Sequence, residues 1–210
     1  PGNDVLNEDA GKCLAAISYF KNTANSDKAA KILEEPYRQG FTHILAQYEE
    51  KRAATGKMDF DDMLYQCLRM LQDDKNILKI WQERFQYILI DEFQDINPMQ
   101  YKIVRLLAGE KCNLFVVGDD DQSIYGFRGS EPSLMKNFQK DYPGCEQVLL
   151  DKNYRSRSDI VKASLKVISE NKNRFVKELK AAKEEYSKQV KARVTVKSYV
   201  DKGEEYRYLT

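Results

Sequence analysis

Over the first 84 residues, apolar positions recur at helical spacing with charged residues between them. Leu14, Ile17 and Tyr19-Phe20 give one apolar face, and Asp27 is expected to cap a following helix that runs toward Pro36-Tyr37. Phe41, Ile44, Leu45 and Tyr48 then fall at i, i+3, i+4 and i+7, in a stretch that ends near Thr55-Gly56. Asp59 is expected to cap a helix that buries Phe60, Met63, Leu64, Cys67, Leu68 and Leu71, and another helix covers Ile77 to about Phe85. At Tyr87 the pattern changes. Short apolar runs at Tyr87–Ile90, Leu114–Val117 and Gln147–Leu150 read as strands. Helical patterns separate or follow them: Pro98 to Leu107, Leu134 to Asp141, and roughly Arg157 to Ser169. Strands that alternate with helices predict parallel βαβ units and an α/β fold behind an all-helical N-terminal region. No structure is assigned to the Lys/Glu-rich stretch from Asn171 to Lys191, and Arg193 to Tyr199 alternates like a strand.

Each strand run stops at polar residues. The first ends in Asp91-Glu92, the second in Gly118-Asp119-Asp120-Asp121-Gln122, and the third in Asp151-Lys152-Asn153-Tyr154-Arg155-Ser156. The carboxyl edge of a parallel sheet is where ligands bind in open α/β folds. One acidic strand end can be a simple turn cap; three neighbouring ones point to a site. Asp91 can hold Mg²⁺, and Glu92 can act on a water that attacks a phosphate. The Gln122 amide is long enough to reach a terminal phosphate or that water. Arg155 offers a planar fork of donors that matches phosphate oxygens, and Tyr154 can stack on a base. Tyr125, Phe127 and Arg128 sit in a loop whose Gly126 and Gly129 suggest an exposed bend, where aromatics beside an arginine suit single-stranded nucleic acid. Core packing is the competing reading of the two rings.

Composition narrows the classes. The formal net charge is only +1, yet Asp151 to Lys197 carries 14 basic against 6 acidic residues, which permits an anionic partner. Cys13, Cys67, Cys112 and Cys145 have no CxxC spacing and His43 is the lone histidine, which argues against a zinc site and against Ser-His or Cys-His nucleophiles. With no long apolar run and no signal-peptide pattern, reduced thiols, a cytoplasmic location and no membrane partner are expected.

Ile-Asp-Glu-Phe-Gln-Asp, then Val-Gly-Asp-Asp-Asp-Gln-Ser-Ile-Tyr-Gly-Phe-Arg-Gly, then Leu-Asp-Lys-Asn-Tyr-Arg-Ser, in this order and spacing, closely resemble motifs II, III and IV of superfamily 1 DNA helicases of the UvrD/PcrA/Rep group. Ala54 to Leu64 also resembles the segment just upstream of motif II in that group. The resemblance is strong from about Ile44 to Phe175. It implies a RecA-like parallel sheet flanked by helices, and an ATP-dependent motor that moves 3′ to 5′ on single-stranded DNA with ATP and Mg²⁺. Residues 1–84 would be part of a helical insertion subdomain, 85–175 part of the first motor domain, and 176–210 a linker and the start of a second. By motif position Asp91 is the Mg²⁺-associated acid and Glu92 the catalytic base. Gln122 senses the γ-phosphate, Tyr154 stacks near adenine and Arg155 reaches the γ-phosphate. Tyr125, Phe127 and Arg128 lie on the DNA side. The group usually has Trp where this chain has Phe127.

No GxxxxGK[ST] loop occurs: Gly11-Lys12-Cys13 and Gly56-Lys57-Met58 lack the following Ser or Thr. Pro1-Gly2-Asn3-Asp4 opens without Met, and Leu209-Thr210 stops inside a patterned stretch. The chain is therefore expected to be an internal fragment that does not hydrolyse ATP alone. Two other readings stay open. One is the helicase part of a helicase–nuclease, whose members tend to have Lys where this chain has Asp121. The other is a non-catalytic nucleic-acid-binding module derived from such a motor.

Overall fold

A computed structural model describes residues 2–110, 113–172, 174–183 and 196–209. It divides into two compact units, residues 1–144 and 145–210.

The first unit begins with α1 (Gly2–Thr23), α2 (Ser26–Ala30) and α3 (Phe41–Ala54). Ala16, Ile17, Ala29, Leu33 and Phe41 close a core among them, with Phe20 edge-on to Phe41 at 6.1 Å. Leu14, expected on this face, is exposed; Ala16 and Ile17 fill the contact instead. The cap of α2 is Asn25, whose side chain accepts from the Lys28 amide, and not Asp27. The helix stops after five residues, well short of Pro36.

Asp59 caps α4 (Phe60–Asp73) as expected, in a reciprocal box with Asp62. The buried face differs from the expected one. Leu68 and Leu71 are inside, but Phe60 is 88% exposed and Met63 is exposed too. Asp62 turns inward instead and anchors a cluster of charges. Lys21 Nζ lies 2.6 Å from Asp59, 2.8 Å from Asp62 and 2.8 Å from Glu49, and Arg52 lies 3.0 Å from Asp62. On a helix, one inward position sets which stripe faces solvent.

Asp74 caps α5 (Lys75–Arg84). Then β1 (Tyr87–Ile90), α6 (Pro98–Ala108) and β2 (Asn113–Val116) form one parallel βαβ unit, paired from Tyr87↔Asn113 to Ile90↔Val116. Asn97 caps α6 in a box with Gln100, and Pro98 takes the first turn. α7 (Ser133–Asp141) completes the unit. Phe93, fully buried after β1, packs edge-on against Tyr101 of α6 (5.9 Å) and Phe138 of α7 (5.5 Å).

The second unit pairs β3 (Lys152–Arg157) in parallel with β4 (Lys180–Lys183), with α8 (Ser158–Ile168) between them and α9 (Lys202–Leu209) at the end. Here two expectations are corrected. Gln147–Leu150 is not a strand: Val148 is 79% exposed, and strand backbone needs a paired neighbour to form. The strand comes later, so Tyr154 and Arg155 lie inside it, not beyond its end. The expected strand at Arg193 to Tyr199 falls partly outside the described residues, and residues 196–199 are not in a strand. The described residues are thus helix-rich with two small parallel sheets, and a sheet of RecA type is not seen. No described helix is long and apolar enough to cross a membrane.

Candidate active site at two parallel strand ends

Hydrogen bonding between β1 and β2 continues past both strands. Val117 N donates to Ile90 O, and Phe93 N donates to Val117 O, both at 2.8 Å. These bonds carry Asp91-Glu92 and Gly118-Asp119 out side by side. The buried Phe93 ring pins the chain just after the acid pair. Between these anchors Glu92 takes a left-handed conformation (φ 51°, ψ 40°), costing a non-glycine residue about 1 kcal/mol. Asp91 Oδ1 accepts the Glu92 amide at 2.9 Å. Both carboxylates are exposed, and among the described residues neither lies within ion-pair distance of a lysine or arginine.

On the β2 side, Asp119 organises a tight turn over Asp120–Gln122. Its Oδ1 accepts the Asp121 amide at 3.1 Å, and its Oδ2 accepts the Gln122 side-chain amide at 2.8 Å. Carboxylate oxygens of Asp119, Asp120 and Asp121 lie within 4.8 Å of one another, but both Asp119 oxygens already serve this turn.

Between the two strand ends lies a residue that the sequence did not single out. Gln94 is 1% exposed. Its Nε2 donates to Glu92 Oε2 at 2.8 Å and to Asp95 Oδ2 at 3.4 Å, and its Oε1 accepts the Asp119 amide at 3.0 Å. Gly118 leaves room for it, since a Cβ there would stand 2.7 Å from Gln94 Oε1. A glycine two residues past β2 is the trace of this packing in the sequence. Asp95 beside it has its carboxyl pushed above the usual range, first by burial and then by the Glu92 charge.

The chain next turns through Gly126–Arg128. The Tyr125 and Phe127 rings lie 6.0 Å apart, and the Arg128 guanidinium sits 5.5 Å from one and 5.4 Å from the other. Phe127 is 66% exposed, which rules out core packing as its role. Gly129, at φ 83°, closes the turn against α1, where a Cβ would meet Thr23 at 2.8 Å. Nearby Asn97 Nδ2 donates to Asn22 Oδ1 at 2.8 Å, and Asn22 Nδ2 donates to Asp61 at 2.7 Å. The end of α1 thereby fastens the cap of α6 and underlies the aromatic turn.

Glu92 and Gln122 are thus joined through Gln94 and Asp119, with Asp91 bonded to the Glu92 amide, while Tyr125, Phe127 and Arg128 form a separate stack further along the same loop. Tyr154 and Arg155 belong to the second unit, both exposed on β3, where Asn153 Oδ1 accepts the Arg155 amide at 3.0 Å and the Ser156 amide at 2.8 Å.

Residues 4–143 match the UvrD/REP helicase N-terminal domain. The chain is 43% identical over 184 residues to a protein of Bacillus subtilis described as putative ATP-dependent DNA helicase YjcD, covering 88% of this chain and 24% of that protein. It is 38% identical to the ATP-dependent DNA helicase PcrA of the same organism over 81% of this chain and 23% of PcrA. It is also 38% identical to the ATP-dependent DNA helicase Rep of Escherichia coli, over 79% of this chain and 25% of Rep. The chain spans about a quarter of the length of these relatives. By its N-terminal two thirds it belongs to the UvrD/REP helicase family.

Proposed function

We propose that this chain is the water-activating and DNA-coupling part of an ATP-dependent DNA helicase, one that moves 3′ to 5′ along single-stranded DNA. The observation that carries this reading is the acid pair Asp91-Glu92, held beside Gln122 at the carboxyl edge of a parallel βαβ unit by the buried Gln94. Relatives named ATP-dependent DNA helicases, matched over most of this chain, support it. In this reading β1 and β2 belong to a RecA-like motor domain at 85–175, residues 1–84 are a helical insertion on it, and 176–210 lead into a second motor domain.

The residues fit the cofactor. Exposed carboxylates are hard oxygen donors, and Mg²⁺ is usually held by one or two of them together with waters and phosphate oxygens. Asp91 would hold Mg²⁺ directly or through water, and the bound ion would neutralise charge on the phosphates. Glu92 would take the proton from the attacking water. Gln122 would exchange Asp119 for the terminal phosphate, and Arg155 would supply positive charge to it. Tyr154 would stack on the adenine. Tyr125, Phe127 and Arg128 would take bases and backbone of the strand, with Arg128 already aligned over both rings.

The test uses a full-length protein that carries this segment. Glu92→Gln should lower DNA-stimulated ATP turnover by about 10²–10⁴-fold while DNA binding stays intact. Unchanged turnover would sink the assignment of the base. ATP hydrolysis by the 210-residue chain alone, lost in Glu92→Gln, would sink the fragment reading.

A further inference from the structure

Gln94 has no part in the chemistry proposed above, yet the site is built around it. Its side chain hydrogen-bonds both strand-end loops. The bonding pattern fixes the orientation of its amide. The NH₂ faces the carboxylates of Glu92 and Asp95, and the oxygen faces the Asp119 N–H. The flipped amide would set oxygen against carboxylate and N–H against N–H. Asp119 in turn holds the Gln122 side chain, so an unbroken relay runs Glu92–Gln94–Asp119–Gln122.

We propose that Gln94 is a positioning residue that couples the Glu92 carboxylate to Gln122 through Asp119. The proposal rests on the reading of Glu92 as base and Gln122 as phosphate sensor for its functional meaning; the relay stands on geometry alone. A buried amide proton without a partner is costly, so Gln94 follows its acceptors. When Glu92 swings toward a water, the Gln94 N–H that it held must re-aim. The same planar amide carries the acceptor for Asp119, so re-aiming loosens the turn that retains Gln122. Gly118 keeps the space in which the amide moves. Water activation and release of Gln122 toward phosphate thereby become one event.

The relay is testable without nucleotide. In the ¹⁵N-labelled 210-residue chain, Glu92→Ala should move the backbone cross-peak of Asp119 and the side-chain amide peaks of Gln122. In a Gln94→Met background the same Glu92→Ala change should leave both peaks in place. Gly118→Ala serves as a second variant: it keeps Gln94 but pushes its oxygen, and should also abolish the response. Equal responses with and without Gln94 overturn the relay. In the full-length protein, Gln94→Met should lower kcat about 100-fold, the scale of an ångström-sized misplacement, with little change in the KM for ATP. A raised KM with unchanged kcat overturns the positioning role. Should Glu92→Gln leave turnover intact, the functional reading fails, while the spectroscopic arm still decides whether Gln94 couples the two loops.

Discussion

Two polar clusters in the first unit are built from the same acids and resolve their charge in opposite ways. Around Lys21, three carboxylates from α3, the α4 cap and the α4 first turn converge on one nearly buried ammonium, with Arg52 behind them. Charge is settled inside the fold. At the ends of β1 and β2, Asp91 and Glu92 are exposed, hold neutral N–H donors, and have no described cation in reach. Among the described residues, charge there is not settled by an ion pair. The first cluster is a clamp that joins α1, α3 and α4. The second keeps its acids available, which is what an Mg²⁺–phosphate site requires.

The largest difference should appear on neutralising one member of each cluster. Lys21→Met strands Glu49, Asp59 and Asp62 without their shared cation, and Asp62 is buried. The expected loss is about 3 kcal/mol in urea unfolding. Asp91→Asn should change stability by no more than about 0.5 kcal/mol. Similar costs for the two would mean that the strand-end acids are structural after all.

Acid titration should separate the clusters by sign. Burial alone would raise the Asp59 carboxyl, but hydrogen bonds from Lys21, the Asp62 amide and Tyr48 outweigh it and hold it below the usual range. A depressed carboxyl contributes stability above its unfolded value near 3.9, and loses it as pH falls through the folded value. Asp59→Asn, which keeps a competent cap, should therefore cost about 1.5 kcal/mol at neutral pH and progressively less below about pH 3.9. Asp95 runs the other way. Its carboxyl is raised by burial and by Glu92, so its ionised form weakens the fold, and the penalty disappears as pH falls through that raised value. Asp95→Asn should be more stable than the parent by about 0.5 kcal/mol at neutral pH, with the gap closing on acidification before Asp59 responds. Parallel pH profiles for the two variants would erase the distinction.

The clamp and the site were unequally legible in the sequence. Asp59 as a cap, the helices at Phe41, Asp59 and Pro98, and the strand at Tyr87 follow from local pattern, because caps and periodicity depend on near neighbours. Asp91-Glu92 was legible as an acid pair at a strand end, and the motif resemblance supplied its company. What was hidden depends on partners far along the chain. Phe60 and Met63 read as core until Asp62 meets Lys21 across 41 residues. Gln94 carries no local signal, and its partner Asp119 arrives only 25 residues later. Gln147–Leu150 reads as a strand because it is apolar, yet backbone pairing and not hydrophobicity makes a strand, and Lys152–Arg157 found a partner where it did not. Sequence pattern exposes what a segment prefers; these residues are decided by what they meet.

A last comparison lies at the aromatic turn, where Phe127 stands in place of the family's usual Trp. Its ring is exposed and already shares Arg128 with Tyr125. Alanine here removes a stacking face, and loss of one base–aromatic stack is worth about 1–3 kcal/mol. Tryptophan does the reverse. Its larger face and stronger quadrupole hold both a base and the Arg128 guanidinium better, by at most about 1 kcal/mol, or roughly fivefold in affinity. Titrating a labelled single-stranded oligonucleotide at low salt should therefore rank Phe127→Trp above the parent and Phe127→Ala below it. The salt slope should be the same for all three, because it counts phosphate contacts and no cation has changed. If Phe127→Trp binds no better and Phe127→Ala no worse, the exposed ring does not touch the strand, and the aromatic turn faces some other partner.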